Sequence, residues 1–237
     1  LQTLVVGDFA VEYGQGAALW QGLSFGKGRD PVSPLVRDGR GIVPFQSTSE
    51  NRFFRGIAAD VAITPMLSVS GFVSRRHRDA SITSPISADS TIQGPQPART
   101  LSSGGQHRTP SEIRRKNAFG KTTVGGAVEY QNSGFHVGMT AHQSWFDRPL
   151  RPPHDRPDEQ FAVSGTQTGM VSLFGNAFLD PYTLFGEVAR SPSGVYGGIA
   201  GAALDHDAGV QALLLGRRFP RTFAGLYNSA IGESGST

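Results

Sequence analysis

The sequence predicts an all-β protein: an antiparallel transmembrane β-barrel of the outer-membrane type, present in part, with about ten strands. Three observations carry this expectation. Apolar residues recur at every second position far more often than at helical spacing. Short turns alternate with long polar connections. No run of about 20 apolar residues occurs, which excludes a helical membrane protein. Composition agrees, since Gly is 31 and Pro 15 while only 38% of the 237 residues are hydrophobic and mean hydropathy is −0.24. Many of the 15 Phe, 5 Tyr and 2 Trp fall inside the alternating segments, which argues against disorder.

The first strand pattern places Val5, Gly7, Phe9, Val11 and Tyr13 on one face and Val6, Asp8, Ala10 and Glu12 on the other. After Gly14-Gln15-Gly16, the run from Ala17 to Phe25 reads as a second strand, with Leu19, Leu23 and Phe25 alternating against Trp20, Gly22 and Ser24. From Arg52 to Ile63, Phe53, Ile57, Ala59, Val61 and Ile63 oppose Phe54, Gly56, Ala58 and Asp60. Thr64-Pro65 turns the chain into Leu67, Val69, Gly71 and Val73. A further hairpin pairs the Thr123 to Tyr130 segment with Phe135 to Trp145 around Gln131-Asn132-Ser133-Gly134. Two more follow, Phe161 to Leu179 turning at Asp180-Pro181 into Tyr182 to Ala189, and Val195 to Leu204 turning at Asp205-His206-Asp207 into Val210 to Arg217.

Between the hairpins, residues 27–51, 76–118 and 147–158 read as long loops, and of these connections only that from Arg190 to Gly194 is short. Short turns at one end and long loops at the other are the arrangement of outer-membrane barrels, whose strands are apolar toward lipid and polar toward the lumen. Lipid permits only a sheet whose backbone groups are all paired, so such a sheet closes on itself. Leu1-Gln2-Thr3-Leu4 lacks a charged, apolar leader, and Gly232 to Thr237 lacks a closing strand. Residues 1–237 are therefore expected to be a section of one barrel domain, truncated at both ends and unable to close alone.

The absence of Cys removes disulfides, thiol catalysis and thiolate metal sites. The net charge of +3 rests almost entirely on Arg, with Lys only at Lys27, Lys116 and Lys121. Arg75, Arg76, Arg78, Arg99, Arg108, Arg114 and Arg115 fall in one expected loop and are the candidate contact surface for lipopolysaccharide phosphates, surface glycans or nucleic acid. No Phe, Tyr or Trp occurs between Arg75 and Ala118, so base stacking has no platform there.

His142 and Ser144 share a strand face with Cβ atoms about 7 Å apart, the spacing of a base beside a hydroxyl nucleophile. His142-Gln143-Ser144 resembles the His-Gln-Ser element of outer-membrane phospholipases, which place the pair on the outer barrel wall. Here Trp145-Phe146-Asp147 follows in place of Asn-Gly, and no orienting Asn is identifiable. His154-Asp155 and Asp205-His206-Asp207 lack a second pair at metal-ligand spacing, and His77 and His107 stand alone. No metal or cofactor is expected. Asp8, Glu12, Asp60, Glu129 and Glu187 lie on mixed strand faces, where an acidic cluster toward the lumen could pair with Arg52. The Gly14-Gln15-Gly16 and Gly22 to Gly26 runs lead into no helix, so they read as bends and not as phosphate loops.

Several ordered blocks carry a family resemblance: Val6-Gly7-Asp8-Phe9, Tyr13-Gly14-Gln15-Gly16 with Trp20, Gly22 to Lys27, Asn51 to Gly56, His107-Arg108-Thr109, Gly186-Glu187-Val188-Ala189 and Tyr227-Asn228-Ser229-Ala230. From about Leu4 to Glu233 the chain resembles the barrel region of the helix-hairpin-helix domain-containing outer-membrane proteins of gram-negative bacteria. The resemblance implies a large barrel, membrane lipid as its surroundings and an outer-membrane location, and it carries over no catalytic residue. The helix-hairpin-helix signature itself does not occur here, so DNA binding or uptake would follow from the family label alone. The leading expectation is a non-enzymatic barrel for transport, scaffolding or surface binding. An outer-membrane hydrolase using Ser144 and His142 is the alternative.

Overall fold

The computed structural model describes residues 1–22, 36–47, 52–82, 95–101, 108–153, 160–206 and 210–229. Twelve strands and one short helix follow in chain order: β1 (Thr3–Glu12), β2 (Gly41–Pro44), β3 (Phe54–Ala62), β4 (Leu67–Arg78), β5 (Ala80–Ile82), β6 (Ala98–Leu101), α1 (Pro110–Arg115), β7 (Phe119–Gln131), β8 (Phe135–Leu150), β9 (Gly165–Leu179), β10 (Tyr182–Arg190), β11 (Tyr196–His206) and β12 (Val210–Arg218). No helix among the described residues is long and apolar enough to cross a membrane.

The sheet order is β12-β11-β10-β9-β8-β7-β4-β3-β1-β2, with β5 and β6 as a side hairpin. All pairings along the main path are antiparallel, and the one parallel contact joins Ala98 of β6 to Leu150 of β8. Among the described residues β12 and β2 are not paired to each other, so the sheet is open at these two edges. It is nonetheless strongly curled. Tyr13 directly follows β1, yet its ring lies 6.4 Å from that of Phe174 on β9, five strands away. In a flat sheet those strands would be about 24 Å apart.

Burial divides β4, β7, β8, β9 and β10 into two faces of unusual character. The concave face is buried and largely polar on β4, β7, β8 and β9, with Ser70, Ser74, Thr123, Thr140, His142, Ser144, Thr168 and Ser172 all buried. The convex face is exposed and apolar: Val6, Ile57, Val69, Val73, Val124, Val128, Val137, Met139, Val171, Leu173, Leu184 and Val188. Leu173 is 57% exposed while its neighbour Ser172 is 1% exposed. Several of these polar groups bond across the ladder, as where Thr123 Oγ1 meets Ser144 Oγ at 2.8 Å and Thr140 Oγ1 meets Ser172 Oγ at 2.9 Å, whereas Thr168 Oγ1 and the ring nitrogens of His142 have no partner among the described residues.

Nine of the expected strands are present, and the tight turns fall together at one end of the sheet, at 63–66, 132–134 and 180–181. Four expectations are corrected. Residues 17–20 do not form a strand: Gly14 (φ 60°) and Gly16 (φ 86°) turn the chain inward, and every residue from Phe9 to Gly22 is buried. Leu23 and Phe25 lie outside the described residues. The loop read over 27–51 contains β2, paired with β1. The loop read over 76–118 begins only after Arg78 and contains β5, β6 and α1, whose Thr109 and Glu112 form a reciprocal capping box. The loop read over 147–158 starts after Leu150, because β8 runs four residues further than its apolar alternation indicates.

Candidate functional site

The concave face is filled by two segments that are not strands. Residues 13–22 and 219–229 lie against it, so that Tyr13, Leu19 and Tyr227 join Phe9, Phe54, Phe72 and Phe174 in one cluster, and Ala17, Ala18 and Phe223 join Met170 and Ala189 in another. Ring centres of Phe54 lie 4.7 Å from Phe72 and 4.9 Å from Tyr227. The two segments also hold each other: Trp20 N donates to Tyr227 O at 2.9 Å, and Ser229 N donates to Gly16 O at 2.8 Å.

Glu187 on β10 anchors this filling. The backbone N–H groups of Gln15 and Ala17 donate to its Oε2 at 2.7 and 2.9 Å. The positive φ of Gly14 and Gly16 curls the backbone so that the amides of Gln15 and Ala17 converge on one anion, a nest built from main chain. A Cβ on Gly14 would come within 2.7 Å of Glu187 Oε2, which explains the glycine. Arg37 closes the arrangement from outside. Its backbone N–H donates to Gln15 Oε1 at 3.1 Å, its guanidinium donates to the carbonyl oxygen of Ser229, and its Cζ lies 4.7 Å from the Trp20 ring centre. Burial pulls the Arg37 guanidinium down to about 10, against the opposing charges of Glu187 and Glu12.

Tyr227 is the second centre. Its hydroxyl lies 2.9 Å from Thr123 Oγ1 and 3.4 Å from Ser144 Oγ, and Lys121 Nζ lies 4.6 Å from its ring centre. Burial acts to raise the phenol, but the Lys121 ammonium and the hydrogen bonds outweigh it, and the group sits below the ordinary tyrosine value. Tyr13 is the contrasting case. Its hydroxyl donates to Ser70 Oγ at 2.5 Å, and burial holds its ionisation well above the ordinary value.

The candidate catalytic pair lies within this interior. His142 and Ser144 face the concave side and are 5% and 0% exposed, so they are not on the outer wall. Ser144 bonds Thr123 and Tyr227, while neither ring nitrogen of His142 has a hydrogen-bond partner among the described residues and its ring packs edge-on against Tyr227 at 5.2 Å. The pair therefore lacks the Ser–His bond that activates a hydroxyl.

The arginines divide. Arg76 and Arg78 belong to the concave face of β4, not to a loop, and Arg76 donates to the Phe53 carbonyl at 2.8 Å with its Cζ 3.6 Å from that ring centre. Arg75 lies on the same strand but on the convex, exposed face. Arg99 on β6, Arg108, and Arg114 and Arg115 in the last turn of α1 are exposed. The acidic residues form no single cluster with Arg52. Asp8 pairs with Arg55 at 2.6 Å, Glu12 with Arg40 at 2.5 Å, and Glu129 with His136 at 2.9 Å. No three His, Asp or Glu side chains converge among the described residues, and His107, His154, Asp155 and Asp207 lie outside them.

Lys121, Arg37 and Tyr227 were not foreseen as a set. Lys121 carried the one available signal, being the only Lys inside an alternating strand and on the same face as Thr123. Comparison of the chain with protein-family models, with curated proteins and with solved structures found no match.

Proposed function

We propose that the chain is the wall and filling of an outer-membrane β-barrel whose convex face contacts lipid, acting as a scaffold or surface-binding module and not as an enzyme. The observation that carries this reading is the inverted burial, polar inside and apolar outside, along β4, β7, β8 and β9. A water-soluble sheet gains nothing from exposing Val69, Val124, Val137 and Leu173 while burying Ser70, Thr123, Thr140 and Ser172. In lipid the same arrangement is favourable on both faces.

The heights of the aromatic residues support it. Convex-face Tyr130, Phe135 and Tyr182 stand at the short-turn end, and Trp145 and Tyr196 at the other. Ten residues of β8 separate Phe135 from Trp145, about 33 Å along the strand and about 25 Å in height at a strand tilt near 40°. That is the height of an apolar band between two interfacial aromatic girdles. The packed interior favours scaffolding or surface binding over an open pore. Arg75, Arg108, Arg114 and Arg115 stand at the long-connection end as its contact surface for anionic glycolipid, glycan or nucleic acid.

The two tryptophans test the reading. Trp145 is 45% exposed on the convex face, whereas Trp20 is 8% exposed beneath Arg37. In vesicles carrying acyl-chain-brominated phospholipid, the Trp20→Phe variant, which keeps Trp145, is expected to be strongly quenched. The Trp145→Phe variant, which keeps Trp20, is expected to be nearly unaffected. A chain that stays monomeric in detergent-free buffer with Trp145 unquenched would refute the proposal.

A further inference from the structure

The convex face carries one interruption. Between β8, β9, β10 and β11 a hollow of about 400 Å³ opens outward, lined by Gln143, Gly169, Val171, Val188, Arg190 and Tyr196 among others. Gly169 lies on its floor opposite Gln143, whose amide folds across the place that a side chain at 169 would take. Arg190 is the only charged residue of the lining among the described residues. Its side chain is exposed and makes no hydrogen bond or ion pair with any described residue.

The polar and apolar parts of the hollow lie at different heights. Arg190 ends β10 at the long-connection end and pairs across the ladder with Tyr196, which begins β11. Val188 and Leu173, partners across the β9–β10 ladder, lie nearer the middle of the apolar face. A cation thus stands beside an aromatic residue at the level where head groups meet hydrocarbon, with an apolar trough descending from it. An uncompensated guanidinium at the edge of an apolar surface is poorly solvated by hydrocarbon and is matched by a phosphate, which it can grip with two parallel N–H groups.

Building on the lipid-facing reading, we propose that this hollow is a binding site for an anionic membrane lipid, with a head-group phosphate on Arg190 and one acyl chain along Val171, Leu173 and Val188. Tyr196, paired with Arg190, and the Gln143 amide supply the remaining polar contacts to the head group.

Trp145 lies two residues from Gln143 on the same face of β8 and reports occupancy. The experiment uses the full chain carrying Trp20→Phe, reconstituted in phosphatidylcholine vesicles with a minor fraction of brominated phosphatidylglycerol or, separately, brominated phosphatidylcholine. Preferential quenching by the anionic lipid is expected, with a relative affinity of about two- to five-fold, the range open to one exposed ion pair. Arg190→Gln should bring the ratio to unity, and Arg190→Lys should retain part of it. Equal quenching by the two lipids, or a preference that survives Arg190→Gln, would overturn the site while leaving the membrane reading intact. Quenching by neither lipid would overturn both.

Discussion

Replacing Glu187 tests the interior most directly, because one carboxylate oxygen holds the segment that fills the sheet. Glu187→Ala leaves the N–H groups of Gln15 and Ala17 buried without an acceptor. Each orphaned donor costs about 1–3 kcal/mol, so the variant should lose about 2–6 kcal/mol. Glu187→Gln preserves shape and one carbonyl oxygen. That oxygen can accept from both amides, while the new NH2 takes the position of Oε1. The Gln variant should therefore lose only the charge-assisted part of the bonds, about 1–2 kcal/mol. The assay is urea unfolding in detergent micelles with Trp145→Phe as background, so that Trp20, whose N–H bonds Tyr227, reports release of the filling. Stability in the order native, Gln, Ala is expected. An Ala variant as stable as the native chain, or a Gln variant as unstable as Ala, would refute the account of the nest.

Three further substitutions probe other parts of the molecule. Leu173→Arg, at mid-height on the convex face, should destabilise the chain in bilayers by about 2–4 kcal/mol; a change near zero, measured by the same unfolding assay in vesicles, would indicate that this face meets water. Ser144→Ala removes a hydroxyl shared with Thr123 and Tyr227 and should cost about 1 kcal/mol, with any lipid-hydrolysing activity of the purified chain unchanged. Gly16→Ala should be among the most destabilising changes, since φ there is 86° and the added Cβ would meet the Arg37 guanidinium and, at 3.1 Å, the Ser229 carbonyl; its readout is loss of the compact form on unheated gels.

Strand positions and facing were legible because period 2 is a local property. Val69, Gly71 and Val73 against Ser68, Ser70 and Ser74 state which side is polar without reference to any other strand. Which side faces inward is not local, and the loop lengths were needed to orient it. Local reading failed where polar residues continue a strand. Arg76 and Arg78 look like loop because they are charged, yet they extend β4 along β7, where Arg76 stands opposite Lys121 and Arg78 opposite Phe119. It failed again at 17–20, where Leu19 and Trp20 alternate as a strand would but two positive-φ glycines have already turned the backbone. The His142 and Ser144 face was read correctly, but the partners of Ser144 were not, since they lie 21 and 83 residues away. Asp8 and Phe9 pair with Arg55 and Phe54, and Glu187, the Gly14 to Gly16 turn and Ser229 adjoin one another.

The mutual grip of the 13–22 and 219–229 segments also carries an entropic cost. Neighbouring hairpins such as β7–β8 and β9–β10 close loops of only a few residues and can form early, whereas the Gly16–Ser229 bond joins residues 213 apart and pays the entropy of closing nearly the whole chain. By sequence separation alone the hairpins of the wall are the cheap contacts to close and the filling the costly one, so the contacts of Tyr227 and Ser229 are the ones whose formation depends on the rest of the described chain being in place.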